Sequence, residues 1–186
     1  MNDWTLSIND KQGVTVVYVD FRRAFDSVSH RKLIESRLAS YGIAGNLLDW
    51  LRNFLSGRTH QTKIGSARSA FVKLISGVIQ GSGVGPLMFL TFIIELIEIM
   101  ERYGVTVKLF ADDAIVYAEI IDFCDVELLQ RALDSLAEWA ALWQLEIAIN
   151  KCFVLNTGKN IPMSDIHYNI EQLDQRYNIN ISTLMT

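Results

Sequence analysis

Phe110-Ala111-Asp112-Asp113-Ala114 is the stretch that decides the fold, because it places two adjacent carboxylates between two apolar runs. The runs, Val105–Phe110 and Ala114–Ala118, are rich in β-branched and aromatic residues, which predicts two short strands joined at the acidic pair. Two like charges side by side in an apolar hairpin are costly without a counter-cation, and Mg²⁺ prefers carboxylate oxygens. A solvated turn is the alternative, since aspartate favours turns.

A second acidic position strengthens the metal interpretation. The apolar run Val14–Val19 reads as a buried strand and ends on Asp20. A strand that delivers a carboxylate at its end holds a metal ligand on a rigid element. Asp20, Asp112 and Asp113 would then hold two Mg²⁺ ions, with Mn²⁺ as a substitute, about 3.5–4 Å apart for phosphoryl displacement.

A glycine-rich segment, Ser76–Pro86, lies between these acidic positions in the sequence. Its four glycines and one proline predict a loop whose backbone closely approaches another group. The apolar stretch Leu87–Met100 follows and predicts a buried helix with Pro86 at or near its first position. A flexible linker is the alternative, but a linker does not normally run directly into a core helix.

These elements, in this order, resemble motifs A to D of the palm in reverse transcriptases, most closely those of non-LTR (LINE-type) retrotransposons. The resemblance extends over about residues 14–157. The stretches that carry it are Val19–Asp26 for motif A, Gly77–Ser82 with Gly85-Pro86 for motif B, Phe110–Asp113 for motif C and Trp143–Lys151 for motif D.

The resemblance implies a role for each matching position. Asp20, Asp112 and Asp113 would be the catalytic carboxylates and metal ligands. Lys151 would be a catalytic residue that protonates the pyrophosphate leaving group, although a surface lysine is an equal alternative. The implied nucleotide- and template-binding residues are Phe21, Phe25, Gln80, Gly81 and Ser82.

Phe25 matches the aromatic gate beneath the sugar of the incoming nucleotide. Its ring would collide with a 2′-hydroxyl, so the site would select deoxynucleotides. Judged from the residue alone, Phe25 is more readily a core side chain. The implied activity is RNA-directed DNA polymerisation, with an RNA template, a DNA primer and deoxynucleoside triphosphates as partners.

Charge is distributed unevenly along a chain whose net charge is −4. Residues 20–76 hold ten Lys/Arg against four Asp/Glu, whereas residues 77–186 hold six against fifteen. The basic part could line a phosphate backbone, and a plain solvated surface is the alternative. Leu87–Met100 carries Glu95 and Glu98 and is too short to span a bilayer, so we expect no membrane association.

The remaining segments predict further helices and strands. Ser29 is expected to cap a helix at about Arg31–Ala39, with His30 at the helix start, and a hairpin is expected to turn at Gly65-Ser66. A strand is expected at Leu145–Ile149. Apolar spacing predicts an amphipathic helix at Asp125–Trp143 whose buried face is formed by Leu128, Leu129, Ala132, Leu136, Trp139 and Leu142.

We therefore expect an α+β fold: a polymerase palm in which a small antiparallel sheet carries the catalytic carboxylates and is backed by helices. The expected divisions are a lead-in at 1–13 with the fingers largely missing, a palm-like domain at 14–159, and a tail at 160–186 without a thumb. Such a palm is expected to have little or no activity alone, because fingers and thumb would normally lie in cis. Two cysteines and a polar start favour an intracellular location, in the nucleus or the cytoplasm.

Two other functions fit the sequence. An RNA-dependent RNA polymerase palm shares the A–B–C order, and Asp26 invites that comparison, because a second acid there binds the ribose 2′-hydroxyl. Phe25, and Ala111 where such enzymes usually have glycine, favour the reverse transcriptase. The other alternative is a domesticated, non-enzymatic fragment that binds protein or nucleic acid.

Overall fold

The computed structural model describes residues 13–157 and the backbone of two further strands, Asn169–Gln172 and Gln175–Asn178. Its contacts divide the chain into two units, which we call the sheet unit (residues 1–22 and 94–186) and the helical unit (residues 23–93). The lead-in predicted at 1–13 lies outside the described residues except for Gly13.

The elements follow one another in a mixed α and β order. The strands are β1 Gly13–Asp20, β2 Thr59–His60, β3 Lys63–Ile64, β4 Ala67–Arg68, β5 Val72–Lys73, β6 Thr106–Phe110, β7 Asp113–Ile120, β8 Phe153–Thr157, β9 Asn169–Gln172 and β10 Gln175–Asn178. The helices are α1 Ala24–Ser27, α2 Lys32–Leu38 (π-helical), α3 Gly45–Leu55, α4 Gly85–Ile93, α5 Glu95–Glu101 and α6 Phe123–Trp143, with a 3₁₀ turn at Ile149–Lys151.

The sheet unit is built on a four-stranded antiparallel sheet in the order β6-β7-β1-β8. Strand β1 lies inside the sheet, between β7 and β8, and most of its residues are buried. Burial on both faces accounts for its almost continuous apolar sequence. Thr15 is fully buried in it, and its hydroxyl donates to the Asn156 side-chain oxygen at 2.7 Å. This sheet confirms the small antiparallel sheet expected of a palm, including the strands predicted at both apolar runs beside Asp112.

Helix α6 packs against the sheet and begins at a capping box. The Asp122 carboxylate accepts from the backbone NH of Cys124 and of Asp125, and the Asp125 carboxylate accepts from the NH of Asp122. The buried face was predicted only in part. Of the expected core positions, Leu128 and Leu142 are 39% and 63% exposed, and the buried residues are Val126, Leu129, Ala132, Leu133, Leu136, Ala137, Trp139 and Ala140.

The helical unit contains α1 to α4 and a two-stranded ribbon. Helix α2 packs against α3 and α4, and the Ser29 hydroxyl accepts from the NH of Lys32 at 3.4 Å, which supports the predicted cap. The ribbon, residues 59–73, pairs β2 with β5 and β3 with β4, and it turns at Gly65-Ser66 as predicted. Nearly all of its residues are exposed.

Two predicted elements differ from the structure. The single helix expected at 87–100 is interrupted at Ile94, so that α4 and α5 are separate. The strand expected at Leu145–Ile149 is wrong: only an isolated bridge joins Ile147 to Phe21 before the 3₁₀ turn. The segment at 160–186 includes the paired strands β9 and β10, and its remaining residues lie outside the description. Within the described residues, no helix has the length and apolarity that crossing a bilayer requires.

Candidate active site

Three acidic residues lie at one end of the sheet. Strand β1 ends at Asp20, strand β7 begins at Asp113, and these two residues are direct antiparallel partners. Directly opposed residues point to the same face with Cα atoms about 4.5–5.5 Å apart. Asp112 precedes Asp113 as the second residue of the hairpin loop between β6 and β7. The structure therefore brings together the acidic positions that the sequence separates by more than ninety residues.

The hairpin loop that carries Asp112 has a constrained backbone. Phe110 pairs with Asp113, which leaves Ala111 and Asp112 as a two-residue loop, and Ala111 has a φ of 54°. Positive φ at the first loop position is what a type II′ turn requires, and glycine usually provides it. An alanine here carries strain that the surrounding strands must hold.

Lys151 is paired with Asp20. Its Nζ lies 3.2 Å from Oδ1 and 3.3 Å from Oδ2 of that carboxylate. The backbone holds the lysine nearby, because the NH of Ala148 donates to the Asp20 carbonyl at 2.8 Å and the NH of Lys151 donates to the Ala148 carbonyl. The Asp20 side chain is 24% exposed and that of Lys151 is 61% exposed, so the pair lies at the edge of solvent.

Cys152 is a neighbour of Asp20 that the sequence did not reveal. Its thiol is buried and donates to the Ala148 carbonyl at 3.4 Å. Burial raises the pKa of the Cys152 thiol and is the largest effect, and it outweighs a backbone hydrogen bond at Asp20 that lowers the pKa; the charge of Asp20 adds a smaller rise. The thiol therefore stays protonated near neutral pH and is a poor metal ligand.

The helical unit contains four of the five predicted nucleotide- and template-binding residues, and Phe21 belongs to the sheet unit. The NH of Gly77 donates to the Val28 carbonyl and the NH of Val78 to the Phe25 carbonyl, each at 2.8 Å. Gly77 has a φ of +92°, and a Cβ there would lie 3.0 Å from the backbone of Asp26. Only glycine therefore fits where the loop crosses the motif A turn.

Side chains complete the attachment of this loop. The Ser76 hydroxyl donates to the Asp26 carbonyl at 2.9 Å, and Gln80 Nε2 donates to the Asp26 carboxylate at 3.3 Å. His30, which the sequence suggested only as a helix-start residue, donates from Nε2 to the Gly77 carbonyl at 2.7 Å. No local pattern around His30 could have indicated this contact, which spans 47 positions.

Ser82 and Gly81 occupy different positions in the loop. The Ser82 hydroxyl donates to the Ile79 carbonyl at 2.6 Å and accepts from the NH of Gly85 at 2.9 Å, so it orders the entry to α4. Gly81 is exposed, with a φ of +81° and open space where a Cβ would stand. Of the two, Gly81 is the position at which a ligand can approach the backbone.

The two predicted phenylalanines differ in exposure. Phe25 is half-buried, and its ring stacks on Phe89 at 4.3 Å, with one face supported and part of the ring at the surface. Phe21 is 1% exposed, and its ring meets Trp139 edge-to-face at 6.2 Å. Phe21 could contact a nucleotide only if the core opened. The predicted binding role of Phe21 is therefore wrong, and Phe21 is a packing residue.

The donor set at the carboxylate end is small. Within the described residues, no group of three or more His, Cys, Asp or Glu side chains is arranged to hold a metal ion. A magnesium site that also uses substrate phosphates and water needs only one or two protein carboxylates. Asp20 and Asp113 on one face of the sheet, with Asp112 beside them, fit such a shared site by chemistry and register.

Comparison with known proteins gives consistent matches. A family model described as reverse transcriptase (RNA-dependent DNA polymerase) matches residues 4–174. The RNA-directed DNA polymerase from mobile element jockey of Drosophila funebris is 27% identical over 78% of this chain. The probable RNA-directed DNA polymerase from transposon BS of Drosophila melanogaster is 28% identical over 81%. The chain spans 16% and 18% of the length of these two relatives.

Solved structures agree on the fold. Telomerase from Candida tropicalis, in complex with a fragment of telomeric RNA, matches with a TM-score of 0.62 at 12% identity, over 83% of this chain and 29% of that one. Telomerase from Candida albicans, in a similar complex, matches with a TM-score of 0.61 at 11% identity, over 95% and 31%. At such identities these structures support the palm fold alone.

Proposed function

Because the chain belongs to the reverse transcriptase (RNA-dependent DNA polymerase) family, we propose that it is the palm part of an RNA-directed DNA polymerase of a non-LTR retrotransposon. The observation that carries the proposal is the register that opposes Asp20 to Asp113, with Asp112 in the adjoining loop. Two opposed carboxylates repel each other unless a cation lies between them.

Divalent ions are the cations that this donor set suits. Asp20 and Asp112 would be the main ligands and Asp113 a supporting one, with Mg²⁺ as the physiological ion and Mn²⁺ as its substitute. When bound, such ions lower the pKa of the attacking primer hydroxyl and stabilise the charge of the leaving pyrophosphate. The rigid strand ends supply the fixed position for these carboxylates.

Lys151 is the second ionic group of the proposed site. Its ammonium neutralises the Asp20 carboxylate when no other cation does so, at 3.2–3.3 Å from both oxygens. Once Asp20 is engaged elsewhere, the lysine is free to donate a proton or a hydrogen bond to the leaving group. Its exposure of 61% leaves room for that movement.

Phe25 would select the sugar of the incoming nucleotide. The stack on Phe89 fixes the ring, because two parallel rings 4.3 Å apart leave little rotational freedom. A fixed ring edge excludes a 2′-hydroxyl more strictly than a mobile one. Gln80 and Gly81 would complete the nucleotide and template pocket.

The RNA-dependent RNA polymerase alternative is less well supported. It needs the Asp26 carboxylate to receive a ribose hydroxyl, but Gln80 Nε2 already donates to that carboxylate. The curated relatives are named as RNA-directed DNA polymerases. The partners we propose are accordingly an RNA template, a DNA primer and deoxynucleoside triphosphates, in the nucleus or cytoplasm.

The test is single-nucleotide addition at high protein concentration, combined with nucleotide binding. A labelled primer on an RNA template is incubated with one deoxynucleotide and Mg²⁺, with Asp112→Asn as the inactive variant. Metal-dependent retention of a fluorescent deoxynucleotide is measured in parallel, because it does not require turnover. We expect the wild type to retain the deoxynucleotide in the presence of metal, Asp112→Asn to retain it much more weakly, and nucleotide addition by the wild type to be slow. The proposal would be contradicted if neither retention nor addition depended on the metal or on Asp112.

A further inference from the structure

The ribbon of the helical unit belongs to a stretch without acidic residues. Residues 50–94 contain Arg52, Arg58, Lys63, Arg68 and Lys73 and no Asp or Glu. Arg52 is paired with Asp49, at 2.9 Å. Of the other four cations, Lys63, Arg68 and Lys73 lie in the ribbon and Arg58 directly precedes it, and within the described residues none of the four forms an ion pair with a carboxylate. An uncompensated cluster of this kind raises the local positive potential.

The register of the ribbon places two of these cations face to face. Lys63 and Arg68 are direct partners on β3 and β4, and both are exposed. Their side chains therefore leave the same face of the ribbon from Cα atoms about 4.5–5.5 Å apart. Like charges at directly opposed positions destabilise a hairpin. The two-residue turn at Gly65-Ser66, with a φ of 60° at Gly65, fixes this register.

The surroundings orient these cations toward solvent. Gln61 Oε1 accepts from Arg68 Nη1 at 3.2 Å, which holds one side of the guanidinium. Arg58 donates from Nε to the Phe54 carbonyl, and its guanidinium lies 4.6 Å above the Phe54 ring. The remaining N–H donors of both arginines stay available to an anion. Phe71 on the same ribbon is 71% exposed, and exposed aromatic rings stack readily on nucleic-acid bases.

We propose that the ribbon binds the phosphate backbone of a nucleic-acid strand, with phosphate groups seated against Lys63 and Arg68. The phosphates would neutralise the opposed cations Lys63 and Arg68. Arg58 and Lys73 would extend the contact along the nucleic-acid strand. Because the contact is made to phosphate groups and not to bases, it does not depend on sequence, and RNA and DNA strands bind in the same way. The identity of the strand as template or primer rests on the proposed function.

The test compares strand binding by the wild type and by Lys63→Gln/Arg68→Gln. Fluorescence anisotropy measures the binding of a 20-nucleotide single-stranded RNA, of DNA of the same sequence, and of polyglutamate as an acidic protein mimic. Salt is varied from about 50 to 200 mM, since phosphate contacts release counterions. Arg131→Gln is the matched control, because Arg131 is an exposed cation on α6 that is paired with Glu127.

We expect the double variant to bind RNA and DNA about tenfold or more weakly at 0.1 M salt. The slope of log K against log salt should fall by about 1.4, because each lost single-strand phosphate contact removes about 0.7. Arg131→Gln should leave both quantities unchanged. The urea midpoint of Lys63→Gln should be equal to or above that of the wild type, because the substitution removes a like-charge repulsion.

Three outcomes would overturn the proposal: unchanged nucleic-acid affinity in the double variant, absence of strand binding by the wild type at 50 mM salt, or ribbon-dependent binding of polyglutamate alone. Metal-dependent nucleotide retention, and its loss in Asp112→Asn, are measured beside strand binding. The two measurements separate the two proposals. Loss of the strand-binding effect would contradict the ribbon proposal alone, and loss of metal-dependent nucleotide retention would contradict the proposed function alone.

Discussion

Lys151 Nζ lies 3.2 Å and 3.3 Å from the two carboxylate oxygens of Asp20, a contact between residues 131 positions apart. The ammonium occupies a position that a divalent cation would also favour. Binding of a divalent ion at Asp20 therefore competes with an internal cation of this chain, and the exposed pair is weak enough to yield.

Lys151→Met should tighten binding of Mn²⁺ at the carboxylate end, because the ion no longer displaces an ammonium. The gain should be at most about fivefold, since an exposed ion pair contributes about 0–1 kcal/mol. Isothermal titration of Mn²⁺ measures it, with Arg131→Met as the matched control. Weaker binding in Lys151→Met than in the wild type would show that the lysine assists the ion and does not compete with it.

Ala111→Gly should leave the protein as stable or raise its free energy of unfolding by about 0.5–1 kcal/mol. Relief of the φ of 54° outweighs the greater freedom of glycine in the unfolded chain. Ala111→Val should be destabilising, because a β-branched side chain tolerates this region least. Urea unfolding compares the three proteins, and a clear loss of stability in Ala111→Gly would contradict the strained loop.

Gly77→Ala should lower the free energy of unfolding by about 2–4 kcal/mol, because it combines a positive φ with a Cβ 3.0 Å from the Asp26 backbone. Gly42→Ala is the matched control. It shares the positive φ, at +77°, but has open space around its Cβ, so it should cost only about 1 kcal/mol. Equal losses in the two variants would mean that the motif B loop does not need the close approach.

Phe25→Ala should reduce discrimination between deoxynucleotides and ribonucleotides, because the ring edge that excludes the 2′-hydroxyl is gone. It should also cost about 1–3 kcal/mol of stability through the lost stack on Phe89. Phe25→Tyr keeps the stack and should keep the discrimination. The measurement is the ratio of metal-dependent affinities for a deoxynucleotide and the corresponding ribonucleotide. If this ratio were unchanged in Phe25→Ala, the ring would serve packing alone.

Cys152 should react slowly with iodoacetamide in the folded protein. Burial and the Asp20 charge raise its pKa, so at pH 8 the thiolate fraction is below that of an ordinary cysteine. Cys124 also has a raised pKa, chiefly because of the Asp122 charge, but it is exposed and should be alkylated first. Mass spectrometry of partly labelled protein gives the order, and Cys152 should become reactive only on unfolding.

The sheet, and the position of Asp20 beside the acidic pair at one end of it, could be predicted because the signals are local. Apolar runs that end on Asp20 and flank Asp112 specify strands, and the motif order specifies how they pair. The turn at Gly65-Ser66 was likewise visible, since its residue types suit a two-residue hairpin.

The remaining features depend on contacts that sequence patterns do not encode. The predicted strand Leu145–Ile149 has apolar residues at alternate positions, but only Ile147 pairs in a bridge, with Phe21. The prediction of one continuous helix was wrong at Ile94, because no proline or glycine there indicates a helix break. The opposition of Lys63 and Arg68, and the contact of Lys151 with Asp20, required the register of paired strands and the path of a turn.

Electron paramagnetic resonance of Mn²⁺ binding, with a deoxynucleoside triphosphate present, tests the shared carboxylate site most directly. The wild type should bind the ion, and Asp20→Asn and Asp112→Asn should each weaken binding by about tenfold or more, which corresponds to about 1.4 kcal/mol. Asp134→Asn, at an acid on α6 outside the site, should bind as the wild type does. Equal Mn²⁺ affinity in all four proteins would contradict the account.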